Sequence, residues 1–371
     1  MQLLTQFLDE LSEEIPALEL AVSCRESTVF RYRAGWQDKE KQIPLGQNAL
    51  YRGYSVCKPI TAAAALTLYE AGAFSMDDPV SRFLPAYENL TVLQPDGTVQ
   101  SARSTMTVGQ LFTMTSGIRY ALALPAIQKA VAESNGAAPT VAIANAIASA
   151  PLSFQPGSDF CYSLSADVLA AVAEVIAGCP FRQLVKERIF APCGMTESAY
   201  HLRDADGNRL VRQYRYDKDL QQIVPMAQQN EFVFGSDYDS GGAGLITTTE
   251  DMLRFGRMLA RQGTADNGQQ LLRPETVALM RTNALSPAAL QSFGALGLEG
   301  YGYGLCVRTR LTGPYAGEFG WHGAAGAYLL ADPERSLAVF YAQQVRGFPT
   351  SDLHRRLRDQ IYGALERNGL L

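Results

Sequence analysis

Histidine is scarce in this chain, with three residues in 371. That leaves no material for a histidine-rich metal centre, and no metal or organic cofactor is expected. Cysteine is thin and scattered: Cys24, Cys57, Cys161, Cys179, Cys193 and Cys306, with no C-x-x-C pair and no metal-ligand spacing. In a chain of this size the pattern suits reduced thiols in a cytoplasm. No run of 18 or more apolar residues occurs, so neither a transmembrane helix nor a membrane partner is expected. The N-terminus lacks a basic leader, and Asp9 and Glu10 arrive within ten residues, so no secretory signal is read and the expected location is cytoplasmic. Basic residues are outnumbered, 32 against 37, for a net charge of −5. No basic stripe is visible, which excludes a general nucleic-acid binder. The short cluster Arg355, Arg356 and Arg358 reads as the solvated face of a terminal helix.

Hydrophobic residues are plentiful, at 47%, and charged residues make up 19%, so the chain has the material for a large core. At about 100–200 residues per domain, the length suggests two domains or one with an insertion. Residues 3–14 have the period of an amphipathic helix. Leu18–Cys24 and Thr28–Ala34 read as a hairpin across Arg25-Glu26-Ser27. A helix starts near Ser55, and from Pro59 to Tyr69 it carries no charge, as a helix buried on all sides does. Between about 79 and 235 the chain turns alanine-rich, with helical periods near 107–115, 125–134, 139–149 and 164–178. A further helix is read at 249–262. Strand patterns return at Tyr303–Arg310, Glu318–Trp321, Ala327–Ala331 and Leu337–Gln343, before a last helix over 350–367. The expected fold is α/β (α+β): an antiparallel sheet formed by both chain ends and flanked by helices, residues 1–78 and 236–371, with a mostly helical domain, 79–235, inserted. The cleft between the two is the expected site.

Three segments could carry chemistry. In Ser55-Val56-Cys57-Lys58 the serine and lysine stand three apart on one helix face. A serine hydroxyl needs a base to become a nucleophile. A buried lysine becomes one if its pKa falls, so Lys58 is expected neutral or sharing a proton with Tyr162. Ser55 as a simple helix cap is the alternative reading of the tetrad. In the second segment, Tyr162 follows the turn Pro156-Gly157 and opens a helix. Its phenol, held near an ammonium, could relay protons, although a core tyrosine is the commoner case. In the third, Phe319-Gly320-Trp321-His322-Gly323-Ala324 lies on a strand whose small residues let a substrate lie alongside.

Taken in order, these segments resemble the serine β-lactamase and penicillin-binding-protein superfamily. Within it, the match is to the class C β-lactamase-like branch and is nearest to family VIII carboxylesterases. GAFSMDDPVSRFLP at Gly72–Pro85 is similar to that branch's G-x-x-x-x-D-D-P-V stretch. TVGQLFTMTSGI at Thr107–Ile118 is similar to T-V-x-x-L-L-x-H-T-S-G-I, with Met114 at the histidine. Pro192–Met195 and Gly241–Phe255 resemble P-L-G-M and G-G-A-G-L-x-S-T-x-E-D. The likeness runs from about 18 to 345.

The resemblance implies a serine hydrolase that forms an acyl-enzyme on a small-molecule ester, amide or β-lactam. Ser55 is then the nucleophile, Lys58 its base and Tyr162 the proton relay. The N–H groups of Ser55 and Ala324 form the oxyanion hole, and Trp321, His322, Gly323 and Leu164 contact substrate. Two departures favour neutral esters. Leu164 stands where many β-lactamases carry an asparagine, and Trp321 stands where they carry a cation. A β-lactamase or D-amino-acid peptidase is the alternative, and a catalytically silent binding protein on the same fold a further one.

Overall fold

The computed structural model describes residues 1–371, apart from the side chains of 204 and 205. Eight antiparallel strands form the main sheet. The N-terminal end of the chain supplies β1 (Ala17–Cys24), β2 (Ser27–Asp38) and β3 (Ile43–Pro44). The C-terminal end supplies β4 (Tyr301–Tyr303), β5 (Arg308–Arg310), β6 (Phe319–His322), β7 (Tyr328–Asp332) and β8 (Leu337–Gln343). Their order is β4-β5-β6-β7-β8-β1-β2-β3, so the two ends of the chain meet where β8 pairs with β1.

Side chains alternate across each strand, and on β8 this sorts the residues cleanly. Leu337, Val339 and Tyr341 point to an outer core. There they meet Leu4, Phe7 and Leu8 of helix α1 (Gln2–Glu14) and Leu353, Leu357 and Ile361 of the C-terminal helix (Thr350–Arg367). Ala338, Phe340 and Ala342 point to an inner core shared with α2 (Cys57–Glu70), α3 (Ser165–Ala177) and α4 (Thr249–Ala260). The C-terminal helix is α5. The expected uncharged helix is the centre of the inner core: every residue of α2 from Cys57 to Leu66 is buried. Each fully buried aliphatic side chain contributes about 1.5–3 kcal/mol.

Several elements depart from the sequence reading. The single strand expected over Tyr303–Arg310 is a hairpin of β4 and β5. Cys306 turns it with φ of 59°, and the carbonyl of Val307 accepts the N–H of Gly304. The helix expected over 107–115 is only Val108–Phe112. A Thr107–Gln110 capping box starts it, and Met114, with φ of 57°, lies in a conformation that cannot continue it. Tyr162 does not open a helix, since α3 begins at Ser165 and Tyr162 lies on the extended segment before it. Within the stretch 79–235, read as mostly helical, residues 210–225 carry the strands Tyr214–Asp217 and Gln222–Pro225. They hydrogen-bond to Gln37, Leu50 and Gln344. Arg358 is not a solvated residue but is 6% exposed, with its guanidinium on Asp359 and the Tyr301 hydroxyl.

Candidate active site

Ser55 sits on the single 3₁₀ turn Tyr54–Val56 that runs directly into α2. Tyr54 holds φ of 50°, a sparsely populated conformation for a bulky residue. Its hydroxyl is tied to the Gln213 amide oxygen, and its ring packs against Phe232 with Arg346 over its face. The turn is thus fixed from outside the helix.

Lys58 is fully buried, and its amine donates to three acceptors: Ser55 Oγ at 3.0 Å, the Tyr120 hydroxyl at 2.9 Å and the Gly242 carbonyl at 2.9 Å. Three donors meeting three acceptors is the arrangement of an ammonium. Burial works against that charge, but Tyr120, Tyr162 and Asp167 more than offset it. The amine is held above the ordinary lysine value. The expectation of a neutral Lys58, or of one sharing a proton with Tyr162, is therefore corrected: the tyrosine hydroxyl at hydrogen-bond distance is that of Tyr120. Burial also pushes the Tyr120 phenol up, with Lys58 opposing it only in part.

Tyr162 stands beside this network. Its ring centroid is 4.6 Å from the Lys58 amine, and its hydroxyl accepts the indole N–H of Trp321 at 2.9 Å. Trp321 is 2% exposed and packs on Tyr162 and Tyr303, so it orients the tyrosine more than it offers surface. Tyr120, which touches the amine directly, was not read from the sequence. Its only signal was its place two residues beyond the Thr107–Ile118 segment.

Asp167 was also missed as a functional residue. Buried on α3, it accepts from the Tyr238 hydroxyl at 2.7 Å, the Ser240 hydroxyl at 2.6 Å and the Gly242 N–H at 3.2 Å. It pins the loop whose carbonyl receives Lys58. A Cβ on Gly242 would lie 2.4 Å from its carboxylate, so only glycine lets the loop come this close.

At the end of β6, a Cβ on Gly323 would lie 2.3 Å from the Gly53 carbonyl. The bare glycine brings this turn against the segment that carries Ser55. The Gly323 N–H is taken by the Ala327 carbonyl at 2.8 Å, whereas Ala324 is exposed and its N–H meets no backbone carbonyl. Two expected contact residues lie elsewhere. Leu164 is 1% exposed in the inner core and presents almost no surface. His322 lies among Arg308, Tyr328 and His354, with its ring stacked on Trp321 at 4.8 Å between centroids. Burial, aided by Arg308 and His354, pushes its pKa well below the usual histidine value, so it supplies no cation. A larger cavity of about 790 Å³, lined in part by Phe190, Met195 and Tyr200, includes none of the expected site residues.

A serine–lysine pair at the head of a buried helix, facing the end of strand β6 in an antiparallel sheet built from both chain ends, defines a β-lactamase-type fold. The Beta-lactamase family profile matches residues 3–363, and the chain belongs to that family. An uncharacterized protein of Mycobacterium tuberculosis is 33% identical over 86% of this chain and 83% of its own length. Esterase EstB of Burkholderia gladioli is 30% identical over 92% of this chain and 90% of its own. The structure of EstCE1, a hydrolase with promiscuous acyltransferase activity, superposes with a TM-score of 0.77 at 24% identity, covering 97% of both chains.

Proposed function

We propose that this chain is a serine hydrolase of the carboxylesterase type, forming an acyl-enzyme at Ser55. The observation that carries the reading is the 3.0 Å contact between Ser55 Oγ and the fully buried Lys58 amine. The esterase named among its relatives supports the choice of reaction. The substrate carbonyl sits above Ser55 with its oxygen toward the N–H groups of Ser55 and Ala324. Ser55 Oγ bonds to the carbonyl carbon while its proton passes into the Lys58–Tyr120 network. Because the resting amine already carries its proton, the network must first give one up. The tetrahedral intermediate collapses, the carbon–oxygen bond to the alcohol breaks, and the proton taken from Ser55 passes from the Lys58–Tyr120 network through Tyr162 to the departing oxygen. Water then attacks the acyl carbon by the same route and frees Ser55.

Neutral esters suit this cleft. Trp321 places no cation at the head of the third motif, and His322, stacked on Trp321, has its pKa pushed well below the usual histidine value. A carboxylate left unpaired on burial costs about 1–3 kcal/mol or more, and each 1.4 kcal/mol is about tenfold in rate. Short-chain p-nitrophenyl esters are therefore expected to show kcat/KM at least about tenfold above nitrocefin or benzylpenicillin. Faster penicillin hydrolysis would replace the esterase reading with the β-lactamase one. The nucleophile is tested separately with a fluorophosphonate probe, which should label the parent and leave Ser55→Ala unlabelled. Equal labelling of the two would remove Ser55 from the mechanism.

A further inference from the structure

A second polar cavity lies on the far side of β6 from Ser55. It encloses about 200 Å³ between the outer face of β4–β7 and the first turns of α5. Arg308, on β5, lines it and is 3% exposed. Its guanidinium packs on the rings of Tyr301 (5.3 Å) and Tyr328 (4.9 Å), and its Nη1 has no hydrogen-bond partner. Arg310, two residues along on the same face, also lies over Tyr301 at 5.6 Å, and its buried Nε is likewise unpartnered. Directly opposite Arg308 on β6 is Gly320, which leaves room for the guanidinium.

A buried cation is normally paired, because its desolvation otherwise costs several kcal/mol. Among the described residues, no acid forms an ion pair with Arg308 or Arg310. Glu318, fully buried, gives one oxygen to the Tyr301 hydroxyl at 2.9 Å; its other oxygen is unpartnered, and its charge acts on Arg308 from beyond ion-pair distance. Arg358 and Arg355 are engaged by Asp359 (2.7 Å) and Asp352 (2.6 Å), and Glu299 is exposed at the rim. His354 and His322, which face the same space, are both pushed toward the neutral form, His354 down to about 3. The amino end of α5, an 18-residue helix, opens here with no side-chain cap, and Thr350 and Ser351 line the wall. The amino end of an 18-residue helix and the side chains of Arg308 and Arg310, each with a guanidinium nitrogen unpartnered among the described residues, border one small space, and both favour negative charge.

We propose that this cavity binds a small oxyanion, a phosphate or carboxylate group, through Arg308, Arg310 and the first turn of α5. The cavity lining includes none of Ser55, Lys58 and Tyr162, although the His322 ring on its wall stacks on Trp321 at 4.8 Å between centroids. The site therefore stands or falls independently of the esterase reading.

The test uses the full-length protein in chloride buffer at constant ionic strength, titrated with inorganic phosphate in one arm and acetate in the other. Binding is read by calorimetry and as a shift in Tm. A saturable heat and a saturable rise in Tm are expected in at least one arm. Phosphate alone identifies a phosphate site, acetate alone a carboxylate site, and both a general oxyanion site. Arg308→Met should weaken the binding by at least about tenfold, as loss of a buried charge partner does. Arg310→Met gives the same comparison if the first variant does not fold. Failure of the parent to bind either anion saturably, or undiminished binding by the variants, overturns the proposal.

Discussion

At the residue scale, the chemistry turns on one proton. Lys58 reads from sequence as a lysine neutralised by burial, yet its amine has three acceptors within 3.0 Å and keeps its charge. Both Lys58 and Tyr120 lie above their ordinary values. At neutral pH the network therefore holds its full complement of protons, and activity is gained as one is removed. The expected profile of kcat/KM on p-nitrophenyl acetate rises with pH from about 6 to about 9, without a plateau near neutrality. A flat profile over that range would mean that Lys58 is already neutral. Tyr120 is the acceptor that holds the amine beside Ser55. Tyr120→Phe removes that oxygen and keeps the ring packed at an angle against Tyr162 and edge-to-face with Phe232. It should lower kcat by about 10² with KM little changed, the usual scale of a lost acid–base partner. A kcat within about twofold of the parent would make Tyr120 a packing residue.

At the scale of elements, the site is assembled where α2, α3 and the turn after β6 come within van der Waals reach. Asp167 illustrates the dependence. Three donors converge on its one buried carboxylate, and the Gly242 carbonyl is placed by that convergence. Asp167→Asn keeps the shape but replaces a charge-assisted acceptor with a neutral amide. A loss of about 1.5–3 kcal/mol in stability is expected, read as a lower midpoint in urea, together with reduced kcat. An unchanged midpoint would show that the loop stands without it.

What was legible in the sequence also divides by element. Helix α2 announced itself because a run without charge from Pro59 to Tyr69 has no other stable place than a core. The hairpin of β1 and β2 and the strands β7 and β8 were equally plain in their apolar patterns. The β4–β5 turn was not, because the pattern continues through Cys306 while the backbone reverses. Tyr120 and Asp167 carried no local mark. Their roles come from partners 62 and 71–75 positions away in the chain, and spacing along one element says nothing about such contacts. Leu164 was misplaced for the related reason that its neighbour in sequence, Tyr162, faces the lysine while Leu164 turns into the core.

At the scale of the whole molecule, the sheet separates two cores with different duties. The inner core buries α2 and holds Ser55 and Lys58 in register. The outer core seals the sheet beneath α1 and α5, and it joins the chain ends, with the Cys24 thiol 3.3 Å from the Leu370 carbonyl. Stability and chemistry should therefore respond to different substitutions. Leu357 on α5 is fully buried in the outer core and touches none of the groups around Ser55. Leu357→Ala leaves a cavity there and should cost about 2–5 kcal/mol. The expected signature is a clear fall in Tm by calorimetry, with kcat and KM on p-nitrophenyl butyrate at 25 °C within about twofold of the parent while the variant is still folded. If turnover fell in step at a temperature where circular dichroism shows the fold intact, the sheet would be transmitting outer-core packing to Ser55, and the two faces would not be independent.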